Sequence, residues 1–232
     1  MKLSRSYFAD FVGLLFPQLC PACGESLMAN ERVICTGCQY SLPLTNFHLQ
    51  ADNIVARQFW GKVNVQAAYA LYYFTKGGKV QNLVHHLKYK GMQQIGHEMG
   101  SIAGAQLVKN DVFYSADVII PVPLHKKRLK QRGYNQSTCF AEGLAQKLNA
   151  VVDDTSLIRA RATETQTKKG RFTRFENMQE VFTVIDPEKL KNQHILLVDD
   201  IITTGSTLEA CAVELLKIDG VKLSIATIAY AE

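Results

Sequence analysis

HILLVDDIITTGSTL, residues 194 to 208, runs from an apolar stretch through two adjacent acids into a loop of hydroxyl residues and glycine. Ile195 to Val198 are apolar, bounded by polar residues, and a helical pattern follows from about Leu208. This predicts a strand buried on both faces of a parallel sheet, and hence an α/β fold. Asp199 and Asp200 are then expected at the carboxyl end of that strand, where open α/β sheets bind ligands. Thr203, Thr204, Gly205, Ser206 and Thr207 offer hydroxyls and successive backbone N–H groups. Gly205 is free to take positive φ, and the following helix adds its positive end. Such a turn binds anions. Carboxylates accept from hydroxyls while N–H groups donate to phosphate, so the stretch suits vicinal hydroxyls beside a phosphate, as in ribose 5-phosphate. The plain alternative is a buried strand and turn whose polar residues only cap a helix.

Working outward, 232 residues hold one sizeable α/β domain plus a small appendage, and 47% apolar with 20% charged residues is ordinary for a globular chain. The net charge of +5 is unevenly placed. Leu124 to Gln136 carries Lys126, Lys127, Arg128, Lys130 and Arg132 with no acid, and Arg159 to Arg174 carries six cations against Glu164. Each segment is +5, so a total of +5 leaves the rest of the chain at −5. Charge localised in this way implies a polyanionic ligand such as pyrophosphate or nucleic acid; the competing reading is a pair of solvated faces. No run of 18 apolar residues occurs, so no transmembrane segment is expected. Lys2 and Arg5 precede the apolar Tyr7 to Phe16, but Asp10 interrupts it and no small-residue cleavage site follows. A short amphipathic helix is expected there rather than a signal peptide.

Cys20, Cys23, Cys35 and Cys38 form two C-x-x-C pairs eleven residues apart. Four thiolates on two knuckles make the tetrahedral set that zinc prefers, and with all positions filled the metal would be structural rather than catalytic. Disulfides or redox C-x-x-C sites are the alternatives. Cys139 and Cys211 fall in helical patterns and read as core thiols. The boundary is expected near residue 45, with a helix and zinc ribbon over 1–45 and the main domain over 46–232. Thr45 to Val63 shows little periodicity and reads as a linker or loosely helical connection. Val65 to Thr75 predicts the first strand of the main domain, and Lys79 to Tyr89 a helix with Val80, Leu83, Val84 and Leu87 on one face. A second helix is expected over roughly Gln93 to Val108, and a second strand over Asp117 to Pro123.

After that strand, PLHKKRLKQRGYNQS is expected as a loop stiffened by proline. It would bring Lys126, Lys127, Arg128, Lys130 and Arg132, with Tyr134, Asn135 and Gln136, to the end of the sheet that holds Asp199 and Asp200, as a grip for pyrophosphate or a nucleic-acid backbone. A helix follows over Thr138 to Asn149. Leu157 to Val184 interleaves cations with Phe172, Phe175 and Phe182, which suits single-stranded nucleic acid; equally, the phenylalanines could anchor a flap. Leu208 to Lys217 and Val221 to Tyr230 read as a closing helix and strand.

The stretch from Ile195 to Thr207 resembles the phosphoribosyl pyrophosphate (PRPP) motif of type I phosphoribosyltransferases. With the cysteine pairs first, PVPLHKKRLKQRGYNQ in the middle, Thr165, Gln166, Arg174 and Asn177 next and VDDIITTGST last, nearly the whole chain resembles the ComF family. The resemblance implies a type I phosphoribosyltransferase-like parallel sheet flanked by helices, behind an N-terminal four-cysteine zinc finger. It implies a cytoplasmic protein of competence and DNA uptake that handles single-stranded DNA and partners with a helicase-like ATPase. By the same resemblance, Asp199 and Asp200 hold ribose hydroxyls, Thr203 to Thr207 hold the 5-phosphate, and Arg132, Gly133, Asn135 and Gln136 match an RG-x-NQ signature. Phosphoribosyl transfer would need Mg²⁺ on the pyrophosphate and an aimed nucleophile. Purine-using relatives often place Asp where Thr203 stands, and threonine cannot serve as that base. An accessory DNA-uptake protein that binds single strands and PRPP is therefore expected. The alternative is an active metabolic phosphoribosyltransferase with an unidentified acceptor.

Overall fold

The structure, a computed structural model of the chain, describes residues 17–159 and 182–232. The expected amphipathic helix over Tyr7 to Phe16, the residues Thr165, Gln166, Arg174 and Asn177, and the aromatic positions Phe172 and Phe175 lie outside the described residues.

Five parallel strands make the main sheet: β1 (Ala67–Phe74), β2 (Val118–Pro121), β3 (Val151–Val152), β6 (His194–Ile202) and β7 (Lys222–Ala231), in the order β1-β7-β6-β2-β3. A separate antiparallel pair joins β4 (Leu157–Arg159) to β5 (Phe182–Val184). Ile195, Leu196, Leu197 and Val198 are all fully buried, as a strand covered on both faces requires. The parallel sheet and its flanking helices are as the apolar run predicts.

Ten helical segments occur among the described residues, two of them single 3-10 turns. The α-helices are α1 (Thr36–Ser41), α2 (Ile54–Arg57), α3 (Lys79–Tyr89), α4 (Gln94–Leu107), α5 (Asp111–Tyr114), α6 (Lys126–Arg132) and α7 (Gln136–Ala145), followed after the second sheet by α8 (Ser206–Leu215). In α3 the buried residues are Val80, Leu83, Val84 and Leu87, the face that periodicity marks. Helix α4 packs closely along α7, and α7 covers β2 and β6.

The connections define the crevice. From β2 the chain goes by α7 outward to β3, whereas from the adjacent β6 it goes by α8 the other way to β7. Right-handed crossovers running in opposite directions put α7 and α8 on opposite faces and leave a cleft above the carboxyl ends of β2 and β6.

Three expectations are revised. Thr45 to Val63 is no loose connection: Phe47, Val55, Ala56 and Phe59 are buried, and Asn53 caps α2 while donating to Ala68 O at 2.9 Å. Its apolar residues are spaced for two short turns against β1 rather than for one amphipathic helix. PLHKKRLKQRGYNQS is not a loop throughout, because Lys126–Arg132 forms α6, with the His125 ring capping Lys127 N–H and Gly133 closing it at φ 84°. Strand β6 also runs past both aspartates to Ile202, since β7 keeps pairing with it at Asp199↔Thr227, Ile201↔Ala229 and Ile202↔Tyr230. Its neighbour β2 ends at Pro121 opposite Val198, so Asp199 is the first residue above the shorter strand.

The N-terminal unit sits on the main body. Asn82 Nδ2 donates to Ala22 O at 3.0 Å, Lys79 Nζ donates to Ser41 Oγ at 2.9 Å, and Leu44 bridges Tyr72 of β1. Cys20, Ile34, Cys38 and Leu42 belong to the same apolar cluster as the sheet.

Candidate functional site

Successive residues of a strand point to opposite sides, so the two adjacent carboxylates meet different partners. Asp199 Oδ1 accepts from Ser137 Oγ at 2.9 Å and from the Asp200 N–H at 2.8 Å. Asp200 is 5% exposed, and its Oδ2 lies 2.9 Å from Lys88 Nζ at the end of α3, an ion pair without the alignment of a hydrogen bond. Burial, and then the neighbouring Asp200 carboxylate, push Asp199 up to about 7, against the opposing pull of the Asp200 N–H, Ser137 and Lys88. The rim of β6 therefore carries a carboxyl group that exchanges its proton near neutrality.

Beyond Ile202 the chain turns through Thr203 and Thr204 into Gly205, which caps α8 at φ 72°. A side chain there would be strained in the left-handed region, and its Cβ would lie 3.1 Å from Gln58 Oε1 and 3.4 Å from the Phe59 ring. Asp199, Thr203, Thr204, Gly205, Ser206 and Thr207, with Ile201, Ile202 and Leu208, line a hollow of about 50 Å³ at the start of α8. That is room for a few water-sized groups, the scale of a phosphate. The first N–H groups of α8 have no partner within the helix, and Thr204 Oγ1 and Ser206 Oγ lie 2.9 Å apart beside them. Such a hollow offers donors to an anion and, at Asp199, an acceptor to a hydroxyl.

The other rim belongs to α6. Lys126, Lys127, Arg128 and Lys130 are exposed and Arg132 half-buried. Arg128 and Arg132, four residues apart on one helix face, line a second hollow of about 310 Å³ together with Lys88, Tyr89, Gly91 and Gln131. The Arg132 guanidinium lies 5.8 Å from the centre of the Tyr89 ring. Lys126, Lys127 and Lys130 are not among its lining residues and present their charge to solvent on the rest of the helix. Lys88 lines the second hollow and pairs with Asp200, the neighbour in β6 of the Asp199 that lines the first. Arg159, at the end of β4, extends the cationic side: its guanidinium stacks 5.5 Å from Phe182, and burial followed by the charge of Arg128 lowers its pKa.

Tyr134, Asn135 and Gln136 are placed differently from the cations. Tyr134 donates its hydroxyl to Leu87 O, Asn135 donates to Val122 O at 3.0 Å while accepting from Ser137 N–H at 3.1 Å, and Gln136 is buried and accepts from Arg132. These three side chains tie α3, the end of β2 and α6 to the start of α7. By capping α7, Asn135 positions Ser137, and Ser137 in turn holds Asp199.

Gln58, Ser137 and Lys88 are the residues that motif reading passes over as site components. Gln58 Nε2 donates to Thr203 O at 2.8 Å, bracing the phosphate-sized hollow from the segment that reads as a linker. Only Lys88 carries a sequence signal, as one of two cations closing α3. Nothing in the local pattern marks Gln58 or Ser137.

At the N-terminus Cys20, Cys23, Cys35 and Cys38 bring their sulfurs within 4.8 Å of one another. Cys23 Sγ and Cys35 Sγ are 3.7 Å apart, and Cys35 N–H donates to Cys20 Sγ at 3.3 Å. Burial opposes ionisation of Cys20, but backbone N–H groups, that of Cys35 foremost, outweigh it and bring the thiol down to about 7. Four close sulfurs, one already held by a backbone donor, fit a tetrahedral ion such as zinc.

Comparison with known proteins agrees with this architecture. Residues 135–232 match the phosphoribosyl transferase domain. The DNA utilization protein YhgH of Shigella flexneri is 28% identical over 220 residues, covering 88% of this chain and 93% of that protein. Competence protein F of Haemophilus influenzae is 34% identical over 93 residues, covering 40% of this chain and 41% of its own. Competence protein ComFC of Bacillus subtilis is 34% identical over 95 residues, 41% of this chain and 36% of that protein. With a phosphoribosyl transferase domain behind a four-cysteine cluster, the chain is a homologue of the DNA utilization protein YhgH and the competence proteins F and ComFC.

Proposed function

We propose that the protein acts in the cytoplasm in competence or DNA utilization, binding a phosphoribosyl ligand such as PRPP and single-stranded DNA at the cleft between β2 and β6. The observation that carries this reading is the juxtaposition of Asp199 and the Thr203–Thr207 turn on one rim with the exposed cations of α6 on the other. Asp199 and Asp200 receive ribose hydroxyls, and the turn with the first N–H groups of α8 receives the 5-phosphate. PRPP enters with Mg²⁺ on its pyrophosphate, which then faces Lys88 and Arg132. Lys126, Lys127, Arg128 and Lys130 meet further phosphates of a single strand, with Tyr89 as a stacking surface. Zinc on the four cysteines of an N-terminal unit spanning roughly residues 1–45 holds that unit folded. A helicase-like ATPase is the proposed protein partner.

The test is binding of labelled single-stranded oligonucleotide across a salt series. Affinity should fall steeply with salt, and Lys126→Ala, Lys127→Ala and Arg128→Ala together should flatten the logarithmic slope by about 2, near 0.7 per lost phosphate contact. An unchanged slope and affinity would remove the cations of α6 from the DNA site.

Asp199, poised near neutral pH beside the anion hollow, favours one second reading: transfer of phosphoribose to an acceptor, with Asp199 as a proton acceptor. Release of pyrophosphate from PRPP, screened across nucleobases and other acceptors, checks it. No release with any acceptor would leave the cleft a binding site.

A further inference from the structure

On the side of α7 away from the cleft, α4 and α7 touch almost backbone to backbone. A Cβ on Gly143 would lie 2.2 Å from His97 O, and one on Gly96 would lie 2.6 Å from Cys139 Cβ. Because only glycine fits there, polar side chains flanking the contact are drawn together. His97 Nε2 lies 2.8 Å from Glu142 Oε2, and one ligand atom each of His97, Cys139 and Glu142 lie within 4.8 Å of one another. The amide oxygen of Gln93 stands 3.9 Å from Cys139 Sγ. Helical spacing explains the grouping: Gln93 and His97 are four residues apart at the start of α4, and Cys139 and Glu142 are three apart on α7, so each pair shares a face.

The chemistry of the group is specific. The Nε2 atom of His97 is shielded from solvent and has no aligned hydrogen-bond partner among the described residues, although the carboxylate oxygen is so near. With no committed hydrogen bond, Nε2 can turn its lone pair to an ion held jointly with the carboxylate. Cys139 is 3% exposed, while the His97 and Glu142 side chains are 41% and 51% exposed, so a buried sulfur stands beside two donors open to solvent. Bonds of about 2.0–2.3 Å to nitrogen, oxygen and sulfur require donors roughly 3–4 Å apart, so modest side-chain rotation closes the set. A thiolate and an imidazole select a borderline transition ion over Mg²⁺ or Ca²⁺.

We propose that His97, Cys139 and Glu142 form a second metal site, distinct from the four-cysteine cluster, that takes one Zn²⁺ ion, with Gln93 or water in the fourth position. The ion staples α4 to α7. Since Ser137 lies two residues before Cys139 and holds Asp199, the staple also steadies the cleft.

Metal content per chain tests this on the full-length protein, equilibrated with excess Zn²⁺ under reducing conditions and then freed of loose ion. Cys139→Ser and His97→Ala should each bind one ion fewer per chain than the wild type, with circular dichroism confirming that both variants are folded. The readout is the difference, so it holds whatever the four-cysteine cluster retains. In Co²⁺-loaded protein, Cys139→Ser should lower the sulfur-to-cobalt charge-transfer intensity by about one fifth, one thiolate of five, as the spectroscopic counterpart. Retention of the wild-type metal count by either folded variant would overturn the site.

Discussion

The two rims of the cleft are built in opposite ways. The β6 rim is made of short side chains and backbone: Asp199, Asp200 and the Thr203–Thr207 turn are locked by Ser137, Lys88 and Gln58 over distances of 2.8–2.9 Å. The β2 rim is a seven-residue helix whose lysines reach into solvent. Preorganised donors recognise a shape and lose affinity steeply when displaced, whereas solvated cations supply charge, which salt screens and neighbouring charges partly replace. The difference teaches that the two rims serve different ligand features and that mutations should separate them.

The sharpest break of that contrast is Gly205→Val. Forcing a branched residue into the left-handed region and against Gln58 should lower affinity for PRPP by about 100-fold, read by calorimetric titration, while leaving single-strand binding nearly unchanged. The triple alanine variant of Lys126, Lys127 and Arg128 should do the reverse. Single-strand affinity at low salt should fall by about tenfold or more, with PRPP affinity changed far less, as a competition assay with both ligands would reveal.

Asp199→Asn probes the cost of preorganisation. The folded-state pKa is raised, to about 7, above an unfolded value of about 3.9. Between those values the folded chain keeps a proton that the unfolded chain releases, so stability is lost as pH rises through this window and the full cost persists above it. The asparagine variant, whose amide oxygen still accepts from Ser137, should therefore be more stable than wild type by roughly 1–3 kcal/mol at pH 8, with no gain near pH 4. Thermal melts at the two pH values check this. The smallest effect is expected from Asn135→Ala, which removes a cap and the tie to Val122: about 1 kcal/mol of stability, seen by denaturant titration, with little direct loss of ligand contact.

Much of the scaffold is legible in the sequence because its signals are local. Apolar periodicity marks α3 to the residue, and Ile195–Val198 announce a strand buried on both faces. Proline and glycine bracket β2 and α6, but the expectation of a loop after Pro123 misses that KKRLKQR favours a helix once His125 caps it. Strand β6 continues past its aspartates because β7 supplies a partner there, a fact of pairing that the acids themselves hide. The bracing of the site is the least legible part. Gln58 meets Thr203 across 145 residues, and Ser137 meets Asp199 across 62, so no window of sequence contains both members of either contact. The same reason conceals the His97, Cys139 and Glu142 cluster, whose thiol reads alone as a core residue.

The claim that the rims divide the work between shape and charge is tested most directly by titrating PRPP into wild type, Gly205→Val and the Lys126, Lys127, Arg128 triple variant, each with and without a short single strand. The account predicts that the glycine variant alone loses PRPP and the cation variant alone loses the strand. Equal loss of both ligands in both variants, or PRPP bound as well by Gly205→Val as by wild type, would contradict it.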